Sequence, residues 1–250
     1  MRYFSDAVEA VARNWASSVS IDNWRIVENR PPLVGQSKPK WVIHRSTGLV
    51  GIGKPIGLRV PDWPIAAHEK IASDLAYHLG LPVPPVILWD RGPQTDGTCS
   101  KSCVSLVVFE NQIEGPQAIQ AARASRQILT PALGAILPFY RWITATDRWP
   151  RHTIYGVAGG AESLLFIDFD RSFDPRFDED FHEHDANLDE PGLDAQAEIS
   201  QKISEFPDNQ IVEIVSRIPD SFLPEAKKTI IIRRLKAGRG NVTNPRQKSQ

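Results

Sequence analysis

A carboxylate inside an apolar helical stripe sets the tightest constraint in this sequence. Residues 65–78 read as a helix that stops at Gly80, and Ile65, Ala72, Ala76 and Leu79 recur at helical spacing with Glu69. A charge placed there is costly unless a cation reaches it. Lys54 is the candidate partner by chain order. It ends the second of two strand-like runs, 40–44 and 49–53, within Gly51-Ile52-Gly53-Lys54-Pro55, and Arg45-Ser46-Thr47-Gly48 is the turn between them. The alternative is a Glu69 that reaches solvent at the edge of the stripe.

The chain around this pair changes character once. Before about residue 110 it is strand-rich. A helix spans 6–18, followed by a polar stretch ending in Asn29-Arg30-Pro31-Pro32 and a loop, Gly35-Gln36-Ser37-Lys38-Pro39-Lys40. After the 65–78 helix come an extended, proline-bearing connection over 81–88, a polar loop over 91–101 and a buried strand over 102–109. Residues 110–116 read as the hinge. Beyond it, 117–128 and 132–146 read as helices, and 155–157 and 164–167 as a small hairpin turned at Gly159-Gly160. Residues 174–193 form an acidic loop, and three helices follow over 196–205, 209–217 and 222–236. A chain of 250 residues is enough for one domain of two lobes. The expected division is 1–110, 111–237 and a disordered basic tail over 238–250.

Composition excludes several classes. The net charge of −1 gives no global field for nucleic acid or an anionic membrane. No apolar run approaches the ~20 residues that span a bilayer. The first residues lack the basic-then-apolar order of a signal peptide, so a cytoplasmic location is expected. Cys99 and Cys103, the only two cysteines, read as ordinary thiols rather than a zinc site or a disulfide. His182-x-His184-Asp185 has ligand chemistry, but in so acidic a loop it reads as solvated.

Two aspartates are the candidates for the chemistry, the alternative being acids that simply begin a turn after a buried strand. In Phe166-Ile167-Asp168-Phe169-Asp170-Arg171-Ser172 an apolar strand delivers Asp168 at its end and Asp170 two residues on. Strand-end carboxylates are a common way to hold Mg²⁺ against phosphate oxygens. Upstream, a helix end runs into Asp147-Arg148-Trp149-Pro150-Arg151-His152. A loop aspartate, a short hairpin and then a strand-end aspartate is the order in which phosphoryl-transfer enzymes present a catalytic and a metal-binding carboxylate.

Taken together, these residues resemble the HipA-like kinases over about residues 30–236. The likeness rests on the Gly35 to Lys40 loop, on Gly53-Lys54-Pro55, and on Glu69-Lys70-Ile71-Ala72 through Leu79-Gly80-Leu81-Pro82-Val83-Pro84. It also rests on Asp147-Arg148, on Ile167-Asp168 and on the ending Ile218-Pro219-Asp220-Ser221-Phe222-Leu223. The resemblance implies an α+β, two-lobed protein-kinase-like fold, with a small β-rich N-lobe carrying one long helix and a mostly helical C-lobe. It implies phosphoryl transfer from ATP with Mg²⁺, or Mn²⁺ in its place, to an acceptor hydroxyl such as a protein Ser or Thr.

The implied roles follow residue by residue. Gly35, Gln36, Ser37 and Lys40 border the phosphates. Lys54, oriented by Glu69, holds them. Phe109, Glu110 and Gln112 supply backbone bonds to adenine. Asp147 takes the acceptor proton, and Arg148 or Arg151 steadies charge. Asp168, with Asp170 and His152, holds the metal.

Two departures stand out. The family places an Asn where this chain has His152, and imidazole suits transition metals better than Mg²⁺. Asp170 stands where many kinases have Gly. A nucleotide-binding pseudokinase or scaffold is therefore an alternative. A remoter one comes from Asp168-x-Asp170-x-Ser172, which is also similar to the first motif of haloacid-dehalogenase-type phosphatases. That fold needs a long parallel α/β chain after the motif. The acceptor and the oligomeric state are not legible.

Overall fold

The computed structural model describes residues 4–33, 37–58, 64–109, 112–123, 126–145, 152–158, 161–173 and 188–242. The first lobe opens with helix α1, Asp6–Ser17, where the Ser5 hydroxyl accepts from the Val8 amide as an N-cap. Strands β1 (Trp24–Ile26), β2 (Lys40–His44), β3 (Val50–Lys54), β4 (Val86–Asp90) and β5 (Lys101–Leu106) form one sheet in the order β1-β2-β3-β5-β4. All of its ladders are antiparallel. Ser20 bridges Leu88 on β4, while Trp24–Ile26 pairs with β2. One short segment thus touches both edges, curling the sheet and leaving fewer unpaired edge groups. Its interior holds Trp15, Trp24, Val42, Ile87, Val104 and Leu106.

Helix α2, Ile65–Leu79, lies between this sheet and the second lobe. It ends as the sequence predicts. Gly80 takes φ 71°, and the Leu81 amide donates to the Ala76 carbonyl at 2.9 Å.

The second lobe holds β6 (Gln112–Glu114), β7 (Thr153–Ala158) and β8 (Ala161–Phe166) as a three-stranded antiparallel sheet. Around it pack α3 (Pro116–Arg123), α4 (Arg126–Trp142), α5 (Glu190–Ser204), α6 (Asp208–Ser216) and α7 (Glu225–Gly238). The result is the two-lobed α+β fold that the resemblance implies. The largest core runs from α2 through α4 to α7 and includes Leu75, Phe139, Tyr140, Phe166, Ile211 and Leu235.

Several elements differ from the expectation. Strands β1 and β6 replace a polar stretch and a hinge, each only three residues long. The predicted helix break near residue 130 is absent, because α4 runs through Pro131 and Pro138. Burial of Ala132, Ile136, Phe139 and Tyr140 outweighs the backbone bonds that proline forfeits. The predicted acidic loop gives way to helix from Glu190, with Asp189 as N-cap accepting from the Gly192 amide at 3.3 Å. The last helix starts at Glu225, not 222. The order also extends past residue 238: Arg239–Asn241 form a 3₁₀ turn and Val242 is buried in the main core.

Helices α4 and α5 approach at two glycines. A Cβ on Gly134 would lie 2.0 Å from the Gly192 carbonyl oxygen, which is backbone and cannot yield. Gly134→Ala is therefore expected to lower stability by about 1–3 kcal/mol or more. Gly240→Ala, with nothing within 4 Å, should stay within about 0.5 kcal/mol of the parent, both variants being compared by urea titration.

Candidate active site

The two lobes meet at a cluster of charges. Lys54 closes β3 and is joined to Pro55 by a cis peptide bond. Its Nζ lies 2.5 Å from Glu69 Oε1 on α2 and 2.8 Å from Asp168 Oδ1, just beyond β8. The apolar stripe that holds Glu69 does receive a cation, and the cation is the strand lysine. Glu69 is 2% exposed, so the alternative of a solvent-reaching carboxylate does not hold.

Asp168 engages a second partner. The hairpin register pairs Thr153 with Phe166, and the Ile167 amide donates to the His152 carbonyl at 2.9 Å. His152 and Asp168 thus leave the same end of β7 and β8, and His152 Nδ1 lies 3.1 Å from Asp168 Oδ2. Asp168 has φ 69°, the left-handed region that few non-glycine residues occupy. Its neighbour Phe169 is buried against Phe139 and Tyr140, at ring-centroid separations of 5.8 and 5.9 Å.

The electrostatics follow from this crowding. Burial would raise the Asp168 carboxyl, but the Lys54 ammonium and His152 outweigh it and hold the group well below the usual carboxylate range. Burial pulls Lys54 down, yet Asp168, Glu69 and Asp170 together push it above its ordinary value. Burial pushes Glu69 up, to about 7, against the pull of Lys54.

Asp170 and Lys40 fall beside this cluster. Asp170 is buried and acts on Lys54 electrostatically. Lys40 opens β2 opposite Gly53, which brings the end of the glycine-bearing loop beside Lys54. Ser37 is buried. Phe109 packs with Ile154 and Leu165 beneath the hairpin, and a Cβ on Gly156 would strike its ring at 2.4 Å. Gln112 opens β6 opposite Gly156, and its side-chain amide donates to Glu114. Gly35, Gln36, Glu110, Asp147, Arg148, Arg151 and the His182-x-His184-Asp185 segment lie outside the described residues. Cys99 and Cys103 are free, buried thiols.

Sequence reasoning missed what holds α2 in place. His68 Nδ1 lies 2.9 Å from the Asp170 carbonyl, and its ring meets Phe173 edge-on. On the other face, Lys70 Nζ donates to the Trp15 carbonyl at 2.8 Å and to Asp74 Oδ1 at 2.6 Å, while Arg217 Nη2 reaches Asp74 Oδ2 at 3.3 Å. Burial pushes Asp74 up, to about 6, against Lys70 and Arg217. An acid four residues after a lysine within an apolar helix was the available signal. A cavity of about 370 Å³, lined by Trp15, Asp74, Tyr77 and Val83 among others, opens on this second face.

Asp168 and His152 are two candidates for holding a divalent cation. Asp168 is held ionised and His152 offers a nitrogen beside it. Among the described residues no group of three or more His, Cys, Asp or Glu side chains could hold a metal ion. Phosphate oxygens and water would complete the coordination, as is usual for Mg²⁺.

No protein-family profile and no curated protein matches the sequence. Among solved structures, the Helicobacter pylori proinflammatory kinase CtkA matches with a TM-score of 0.64 at 13% identity, over 89% of this chain and 95% of that one. HipA of Shewanella oneidensis, solved with HipB and operator DNA, matches at TM-score 0.47 and 13% identity, over 96% of this chain and 72% of that one. The likeness to CtkA shows that the chain has a kinase fold. No helix among the described residues is long and apolar enough to cross a membrane.

Two outcomes follow from the charge cluster. Lys54→Met strands the buried Glu69 and should cost about 3–5 kcal/mol. Adding Glu69→Met should recover much of that loss in a double-mutant cycle read by denaturant unfolding. Asp168 has a folded pKa below its unfolded one, so its contribution is complete above about pH 4 and is lost as pH falls further. The parent should therefore lose more stability than Asp168→Asn between pH 5 and pH 2, measured by urea midpoints at each pH.

Proposed function

We propose that this chain is an ATP-dependent phosphotransferase of the HipA-like type, passing the γ-phosphate to a hydroxyl such as a protein Ser or Thr. The observation that carries the reading is Lys54, which ends β3 and is held at once by Glu69 of α2 and by Asp168 beyond β8. A strand lysine paired to a helix glutamate, facing a metal-binding aspartate, is the arrangement that positions ATP in kinases.

In this reading Lys54 binds the α/β-phosphates, and Glu69 keeps its ammonium pointed at them. The 35–40 loop borders the phosphates from the start of β2, and Phe109 with its neighbours receives the adenine. Asp168 and His152 would hold the divalent cation, which when bound supplies neutralising charge at the phosphates. Asp147 precedes His152 by five residues in the chain. It takes the proton of the acceptor hydroxyl, and Arg148 steadies charge on the transferred group.

A second reading, nucleotide binding without turnover, is favoured by one observation. His152 stands where an Asn is usual and already pairs with Asp168 Oδ2, while Lys54 takes Oδ1. The phosphatase reading loses its footing. β8 lies in an antiparallel three-stranded sheet, whereas that chemistry needs the end of a strand in a parallel α/β sheet.

Calorimetry with ATP and a divalent cation should show binding that weakens at least tenfold in Lys54→Ala. A turnover assay should lose about 10²-fold or more in Asp168→Asn and in Asp147→Asn. Binding without turnover in the parent protein would select the second reading. ATP consumption that survives both aspartate substitutions would sink the assignment.

A further inference from the structure

The segment that carries Asp168 is tied at both ends and in the middle. Where it leaves β8, the Ile167 amide donates to the His152 carbonyl at 2.9 Å. Where it ends, the Phe173 amide donates to the Ile143 carbonyl at 3.0 Å, and Arg234 Nη1 donates to the Phe173 carbonyl at 3.0 Å. Asp168 and Phe173 both take left-handed backbone, at φ 69° and 63°, and the Ser172 amide donates to the Phe169 carbonyl between them. All of these ties belong to the second lobe. The middle one does not: there the Asp170 carbonyl meets His68 Nδ1 of α2 at 2.9 Å.

A carbonyl only accepts, so Nδ1 carries the proton and donates. His68 is 3% exposed, and its ring stands edge-on to Phe173 at 5.6 Å, which fixes the direction of the donor. The next residue on the helix is Glu69, the partner of Lys54. Neighbouring residues in a helix share one backbone and point about 100° apart. Helix α2 therefore grips the strand lysine with one residue and the aspartate's turn with the residue before it. A shift of the helix moves both grips together.

We infer that His68 is a positioning residue: its bond to the Asp170 carbonyl sets the Asp168 turn against the Lys54–Glu69 pair. One helix then aligns both the lysine and the aspartate that the proposed reaction uses. The part this plays in handling ATP rests on the kinase reading above, but the coupling of the turn to α2 does not.

The test compares His68→Leu, which keeps apolar bulk and loses the donor, with His68→Asn, whose side-chain N–H sits where Nδ1 does. Each is made in the full chain with and without Asp168→Asn, and urea midpoints are read without nucleotide. The midpoint shift caused by Asp168→Asn should fall to about half or less in the His68→Leu background and keep its parental size in His68→Asn. A ring that merely fills space would give additive shifts instead. In calorimetry, the factor by which Mg²⁺ tightens ATP binding should fall about fivefold or more in His68→Leu and recover in His68→Asn. Metal-free ATP affinity, which rests on Lys54, should change by less than about threefold.

Equal Asp168→Asn shifts in the parent and in His68→Leu, an unchanged Mg²⁺ factor, or a His68→Asn protein that behaves like His68→Leu would each overturn the inference. Where His68→Leu does not fold, His68→Gln takes its place. Its N–H sits where Nε2 does, away from the carbonyl, and the same reduced shift is expected. A reduced shift in a protein whose parent binds no ATP would uphold the placement of Asp168 by His68 and remove the kinase reading instead.

Discussion

The ion cluster at Lys54 is the interaction on which the arrangement of the lobes depends. Its three members come from three separate places: the end of β3, the middle of α2 and the exit of β8. None could be buried alone, because an isolated charge in the interior is far more costly than a paired one. The sheet, the long helix and the C-lobe hairpin must therefore converge on one point. The pair is weak as a source of net stability, since desolvation offsets much of the attraction. Its value is in specificity: a register slip in β3 or a rotation of α2 would leave a buried charge without a partner.

Helix α2 meets that demand by presenting two polar faces within one apolar helix. His68 and Glu69 face the site, and Lys70 and Asp74 face α1 and α6. Neighbouring residues lie about 100° apart around a helix, so Glu69 and Lys70 can serve different sides. Lys70 is fully buried and bonds a backbone carbonyl of α1, while Arg217 of the second lobe bonds Asp74. The orientation of Glu69 is thus fixed from behind as well as from in front.

These particulars explain what could be read from the sequence. The β2–β3 hairpin, α2 with its Gly80 stop, the Lys54–Glu69 partnership and the strand-end Asp168 were all legible, because each rests on local periodicity or on a charge with one plausible partner. Strands β1 and β6 were not. They are three residues long, too short for an alternating pattern, and are defined by ladders to β2 and β7. The start of α5 was hidden by Pro191 and Gly192, which read as loop. Pro191 suits the first turn of a helix, and Gly192 is small because α4 crosses there. His68 was invisible for a different reason. Its partner is a backbone carbonyl about a hundred residues away, and a carbonyl has no sequence signature.

The left-handed backbone of Asp168 shows how the second lobe answers the first. A non-glycine residue at φ 69° persists only where its surroundings over-determine it. Here they do so on both sides. Phe169 is locked between Phe139 and Tyr140 of α4. Phe173 donates its amide to the Ile143 carbonyl, and its own carbonyl accepts from Arg234 of α7. The carboxylate therefore points where the C-lobe core directs it, while the lysine it meets points where the N-lobe sheet directs it. Their 2.8 Å contact ties the sheet of the first lobe to the hairpin of the second. The two side chains are thus oriented independently, one by each lobe.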